Sequence, residues 1–165
     1  MSMKRASGGG GPTRSFEIRV SFKDVTTDQQ VVFKVDGERF TTANKTLKFT
    51  SNTKYRIQVN TMGDVELYHM RIAESDLALH TTNPMSGEYS TEWNTTGIEP
   101  SEKSARHDVH VTLQGPCGTF KATLQTKFYE KGDSHVEWGT KLEAIVYECS
   151  TDGQGNVIVN SCEYK

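Results

Sequence analysis

His107-Asp108-Val109-His110 is the densest run of metal-capable side chains in the sequence. Residues three apart on a strand point to opposite faces, so the two imidazoles diverge, and the run reads as a solvated strand entry without a metal. His135 and Glu137 share a strand face, but no third ligand stands near them and such pairs are ordinary on sheet surfaces. Cys149 follows Glu148 in an apolar stretch, where a thiol behaves as a small hydrophobe and not as a nucleophile. There is no Gly-x-Ser-x-Gly elbow and no Cys-x-x-Cys pair. The four glycines 8–11 precede a strand and lack the Lys-Ser/Thr ending of a phosphate-cradling loop. The expectation is a protein that is not an enzyme, with no catalytic residues, no metal and no cofactor. Trp93, near a loop, and Trp138, ahead of Gly139, are aromatic anchors that either line a ligand cavity or fill the core.

The modification signals are weak. Cys162-Glu163-Tyr164-Lys165 puts a cysteine where a prenylation signal has one, but Glu163 and Tyr164 are not aliphatic and Lys165 is not a usual terminal residue. Ser2 stands where N-myristoylation requires glycine. Lys4-Arg5-Ala6-Ser7 suits a basophilic kinase, although a solvated tail is the plainer reading. Asn44-Lys45-Thr46 and Asn94-Thr95-Thr96 match the glycosylation pattern, which arises by chance in a Thr-rich chain and matters only after secretion.

The elements that must position these residues are strands. The 165 residues include twenty Thr and thirteen Val against seven Ala and seven Leu, a balance that favours pleated surfaces over helices. Only 34% of the chain is hydrophobic, which suits antiparallel sheets with one wet face. The net charge of −2 comes from 19 basic and 21 acidic side chains without long blocks of one sign, so no basic stripe marks a nucleic-acid binder. No window approaches a membrane span and the N-terminus has no apolar signal core. The chain is expected to be cytoplasmic, with three reduced cysteines, Cys117, Cys149 and Cys162.

Residues 1–14 read as a disordered Gly-rich leader, and 15–165 as a single β domain. From Ser15 the pattern alternates, with Phe16, Ile18, Val20 and Phe22 on one face. Val31–Val35, Asp36-Gly37 and Glu38–Phe40 read as a hairpin on a tight turn. Further strands are predicted at 46–50, 55–60, 64–72, 77–80, 87–93, 109–113, 120–128, 136–138, 142–149 and 157–160. Pro100 suggests a short helical turn near 99–106. About ten or eleven strands at this spacing predict an antiparallel β-barrel or a flattened β-sandwich, and the strand count together with the family resemblance given next favours the barrel.

Val32-Phe33-Lys34-Val35-Asp36-Gly37-Glu38-Arg39-Phe40, Gly118-Thr119-Phe120, Lys127-Phe128-Tyr129, Glu137-Trp138-Gly139 and Tyr147-Glu148-Cys149 resemble the cannabinoid receptor-interacting protein family. Gly87-Glu88-Tyr89 and Gly97-Ile98-Glu99-Pro100 fall in matching order. The resemblance covers about residues 15–150; the Gly-rich leader, the loop around Trp93–Thr96 and the segment after Cys149 depart from it. It implies a cytosolic adaptor that binds the C-terminal tail of a cannabinoid-type G-protein-coupled receptor, at the inner face of the plasma membrane, and damps its constitutive signalling. It also implies a barrel similar to the Rho GDP-dissociation inhibitors, and by that analogy a lipid or lipidated-protein cargo.

Phe33, Val35, Phe40, Phe120, Leu124, Phe128, Trp138 and Val146 are the candidates to line an apolar interior for such a cargo. Sheltering ten methylenes would contribute about 8 kcal/mol before ordering costs. A filled core is the equal alternative. A receptor tail would sooner use exposed strand edges or the 94–107 loop. The competing function is an immunoglobulin-like interaction module without a ligand cavity, for which two open sheets would speak.

Overall fold

The alternation along the sequence becomes an alternation of burial along β1 (Ser15–Asp24), where Phe16, Ile18, Val20 and Phe22 are all buried. The computed structural model describes residues 14–36 and 44–165. Eleven further strands follow: β2 (Val32–Asp36), β3 (Asn44–Thr50), β4 (Lys54–Met62), β5 (His69–Ile72), β6 (Ser75–Ala78), β7 (Glu88–Asn94), β8 (His107–Gly115), β9 (Gly118–Tyr129), β10 (Thr140–Lys141), β11 (Ile145–Thr151) and β12 (Val157–Tyr164). They form a five-stranded sheet, β12-β11-β1-β4-β7, and a seven-stranded sheet, β10-β2-β3-β9-β8-β5-β6.

The architecture is therefore a flattened sandwich and not a closed barrel. Three isolated bridges, Lys23 to Gln30, His80 to Ser90 and Thr119 to Asn156, lie outside the regular ladders of the two sheets. One pairing departs from the antiparallel expectation, since β3 and β9 run parallel, with Leu47 beside Thr126 and Phe49 beside Phe128.

Several local expectations change for physical reasons. β2 pairs with β10 on one edge and with β3 on the other, with Val35 opposite Lys45 and Asp36 opposite Asn44, and the expected turn at Gly37 and strand at Glu38–Phe40 lie outside the described residues, as does nearly all of the leader. The helical turn expected near 99–106 is replaced by a turn closed by the Ala105 N–H on the Glu102 carbonyl. The segment after Pro100 is instead drawn onto β9, where the Ser101 N–H donates to the Phe128 carbonyl at 2.8 Å. The expected strand 136–138 is a 3₁₀ turn, Ser134–Glu137, because the Asp133 carboxylate accepts from the His135 N–H and caps it. At the β8–β9 hairpin Gly118 has φ +139°, and a Cβ on Gly115 would lie 2.0 Å from the Glu66 carbonyl oxygen, so both positions require glycine.

The core between the sheets is organised around Phe49. Its ring centroid lies 5.2 Å from Phe22, 5.2 Å from Tyr55, 5.3 Å from Trp93 and 5.7 Å from Phe128. Three of these rings come from the five-stranded sheet, so the cluster fastens one layer to the other. Three of the four contacts are edge-on, the arrangement that sets a positive ring edge against a negative face.

Burial also raises the pKa of several acids. The Cys149 thiol is pushed up from 9.0 to about 12, and the phenols of Tyr147, Tyr164 and Tyr55 are raised above 10.0. Phe49→Ala is expected to destabilise the fold by about 3–5 kcal/mol in urea unfolding, the cost of a large buried ring and its cavity. Above pH 9 the unfolded chain releases thiol and phenol protons that the native chain retains, so it binds fewer protons and stability falls as pH rises. Urea midpoints measured from pH 8 to 12 should decline progressively, and Cys149→Val should flatten the first part of the decline.

Candidate functional site

On the seven-stranded sheet the apolar phase of each strand faces the core and the polar phase faces outward. Along β2, β3 and β9 the outward phase carries Lys34, Thr46, Lys48, Lys127 and Tyr129, and the registers place Lys34 opposite Thr46 and Lys48 beside Lys127. Two flanking segments raise walls above this surface. The 95–106 loop is tied to β9 by Ser101, whose N–H donates to the Phe128 carbonyl at 2.8 Å and whose Oγ accepts from the Phe128 N–H at 3.0 Å. Arg106 reaches in from the end of that loop and donates through Nε to the Thr46 hydroxyl at 3.2 Å. The opposite wall is the capped 3₁₀ turn followed by Trp138, whose ring centroid sits 4.1 Å from that of His135. Between the walls lies a groove of about 670 Å³.

Lys48 occupies the floor. The residue is only 7% exposed, and its Nζ donates to the carbonyls of His135 at 3.1 Å and Trp138 at 2.5 Å. It therefore holds the turn from beneath, while its charge also lies 5.6 Å from the Tyr129 ring, which Lys127 approaches at the same distance. Burial, followed by the fields of Lys34, Lys127 and Arg106, lowers the Lys48 pKa, and Asp133 works in the opposite direction. The Asp133 carboxyl is held below the usual carboxylate range by the backbone N–H and ring of His135, with Lys127 assisting. A second hollow of about 370 Å³, lined by Tyr55, Val136, Glu137 and Lys141, shares Lys48 with the groove. The 134–138 turn thus lies as a strap between the two hollows.

The groove walls carry five basic side chains, Lys34, Lys48, Lys103, Arg106 and Lys127, against two acidic ones, Glu130 and Asp133. The whole chain has a net charge of −2, so positive charge is concentrated here against the average. Among the described residues, no carboxylate stands within ion-pair distance of Lys34, Lys48, Lys103 or Lys127. Such a surface attracts anions and presents aromatic faces beside its cations.

The residues expected to line an apolar interior have separate fates. Phe33, Phe120, Leu124 and Phe128 are buried between the sheets, and Val35 is partly buried at the edge of that layer. Their neighbours are rings: Phe33 meets Tyr164 at 5.5 Å, Phe120 meets Tyr147 at 4.9 Å and Phe128 stacks on Phe49. Val146 does not project inward, since it stands in register with Arg19 and Glu163 on the outer face of the five-stranded sheet. Trp138 does not either; it is 59% exposed on the groove wall because the 3₁₀ turn replaces the strand that would have aimed it inward. Phe40 lies outside the described residues.

The histidines diverge as the spacing requires: His107 packs edge-on to Phe128, while the His110 ring meets the Thr123 hydroxyl at 3.1 Å. His135 pairs with Asp133 and not with Glu137. Among the described residues, no three His, Cys, Asp or Glu side chains gather as a metal set, and no helix is long and apolar enough to cross a membrane.

Sequence reasoning missed the basic groove because its lysines come from β2, β3, the 95–106 loop and β9, with no run of like charge. The signal available was the polar phase of the alternation, which puts Lys34, Lys48 and Lys127 on the wet face of their strands. A protein-family model described as CB1 cannabinoid receptor-interacting protein 1 matches residues 12–164, nearly the whole chain. No curated protein matches it.

Two tryptophans make the electrostatics of the groove measurable, since Trp93 is fully buried and Trp138 is not. Iodide is expected to quench Trp138 fluorescence several-fold more efficiently than caesium at low ionic strength, and the difference should shrink as salt screens the lysines. Equal quenching by the two ions would contradict a positive field at Trp138.

Proposed function

The chain belongs to the family of CB1 cannabinoid receptor-interacting proteins, and from that membership we propose that it is a regulatory adaptor for the C-terminal tail of a cannabinoid-type receptor. It acts in the cytosol, by binding and not by catalysis, and lowers the receptor's basal signalling. The tail lies in the basic groove. The observation that carries this reading is the concentration of basic side chains, five against two acidic ones, in a groove lined also by Phe128, Tyr129 and Trp138. Such a groove fits an extended, acidic peptide: its charges steer the encounter, and its rings supply the rigid contact area that anchors a peptide. One wall is the 95–106 loop, within the 94–107 segment that was one of two expected places for a receptor tail, the other being exposed strand edges.

A lipid cargo between the sheets is the weaker reading. Two sheets without barrel closure favour an interaction module without an internal chamber, and the Phe49 cluster would have to part to admit an acyl chain. The receptor role and the sandwich are compatible, since the groove lies on the outer face.

Titration calorimetry of the full chain with a synthetic peptide of the receptor's C-terminal tail tests the proposal. Binding should weaken with rising salt, and Lys34→Glu with Lys103→Glu should weaken it about tenfold or more. Undiminished binding by the double variant would remove the groove from the mechanism, and an absence of binding by the native chain would remove the tail. An acyl chain retained in native mass spectrometry would favour cargo carriage.

A further inference from the structure

Glu17 and Glu148 stand directly opposite each other in the β1–β11 ladder, on the outer face of the five-stranded sheet and so on the other side of the sandwich from the groove. Side chains in that relation have Cβ atoms about 5 Å apart, and like charges placed there destabilise the pairing. The surroundings supply little relief. On β4, Met62 is opposite Glu17 and Asn60 opposite Arg19; on β12, Ser161 is opposite Glu148, and Glu163, opposite Val146, adds a further negative charge. Arg19 donates to Glu17 through Nε at 2.5 Å, and the Glu17 side chain is only 17% exposed. Among the described residues, no ion pair joins Glu148 to a cation, although Lys165 at the end of the chain acts on both carboxyls from a distance.

The two carboxyl groups nevertheless hydrogen-bond to each other. Ionised carboxylates are acceptors only, so that contact requires a proton between them. A lysine opposite Glu17 would pair with it at any neutral pH, whereas a second glutamate pairs only while it is protonated. The bond from Arg19 holds Glu17 below the ordinary carboxylate range, and the bond to Glu17 raises Glu148, so Glu17 keeps the charge and Glu148 carries the proton.

We propose that Glu17 and Glu148 form a proton-controlled latch: one shared proton clamps β11 onto β1, and its loss turns the clamp into a repulsion that loosens the β11–β12 hairpin. The hairpin is worth latching because it covers one side of the core, with Tyr147 on Phe120 at 4.9 Å and Tyr164 on Phe33 at 5.5 Å. Its outer strand, β12, ends the sheet and is tied to it through β11. In the unfolded chain Glu148 titrates at its ordinary value of 4.5, below its native one. Its contribution is therefore complete below the unfolded value and is lost as pH rises through the native one. Glu17 has the opposite sign, since its bond to Arg19 is lost as pH falls through a lowered native value. The latch is fully formed between these two titrations and opens on the alkaline side.

The test uses the full chain and two variants at a surface position. Carbon-13 NMR of the glutamate side chains should show Glu17 and Glu148 titrating as one coupled pair, with one step below the ordinary glutamate range and one above it. Independent titration of both groups in the ordinary range would overturn the proposal. Hydrogen exchange, corrected for intrinsic rates, should report opening of β11 several-fold more often at about pH 8 than at about pH 5.5. Glu148→Gln presents an amide donor to Glu17 at every pH, so it should remove that difference and raise the urea midpoint at pH 8 above that of the native chain. A pH difference undiminished in Glu148→Gln, or absent from the native chain, would overturn the latch. Glu148→Ala relieves the repulsion without restoring the hydrogen bond. It should be as insensitive to pH as Glu148→Gln but open more often, and equal opening of the two variants would overturn the clamp.

Discussion

The packing of Phe49 against rings from both sheets is the constraint on which the rest of the molecule depends. Side chains alternate along a strand with a period of two, so seating Phe49 in the core forces Lys48 and Thr50 onto the outer face. A slip of one residue in β3 would exchange the aromatic hub for a lysine and carry the floor of the groove inside. Phe128 makes the same bargain in β9, facing the hub while Lys127 and Tyr129 face out. The geometry of the outer surface is therefore set from within.

Above that surface the groove is built with little regular structure. The 95–106 loop and the 134–138 strap are each fixed by a few polar contacts: Ser101 to Phe128, Arg106 to Thr46, Asp133 to His135 and Lys48 to the strap carbonyls. Lys48 serves both the wall and the field, since the ammonium that holds the strap in place is also the most buried cation in the groove. Burial, and then the like charges of Lys34, Lys127 and Arg106, lower its pKa.

Much of the fold was legible in the sequence because one face of most strands is apolar. The stretches around β1, β4, β7, β8 and β9 were readable, and Phe33, Phe120, Leu124 and Phe128 were placed inside for that reason. Alternation carries no information about which strands are neighbours. The parallel β3–β9 ladder, which brings Lys48 beside Lys127, left no local trace, and the choice between barrel and sandwich was equally hidden. Val146 and Trp138 failed differently. Val146 is apolar on the outward phase of β11, against the pattern, while the fate of Trp138 turned on a cap at Asp133 that favoured a 3₁₀ turn over a strand. The residues of the groove were individually unremarkable, and only the topology made them a site.

The β3–β9 ladder has a kinetic side. It joins residues 47–50 to residues 126–129, which are far apart in the sequence. Closing so long a loop costs entropy that is not offset until the pairing is complete, and topologies dominated by such contacts fold in milliseconds to seconds. The hairpins β8–β9 and β11–β12 are local and form without it. The basic groove straddles this long-range seam, so its floor exists only once strands distant in the sequence have paired.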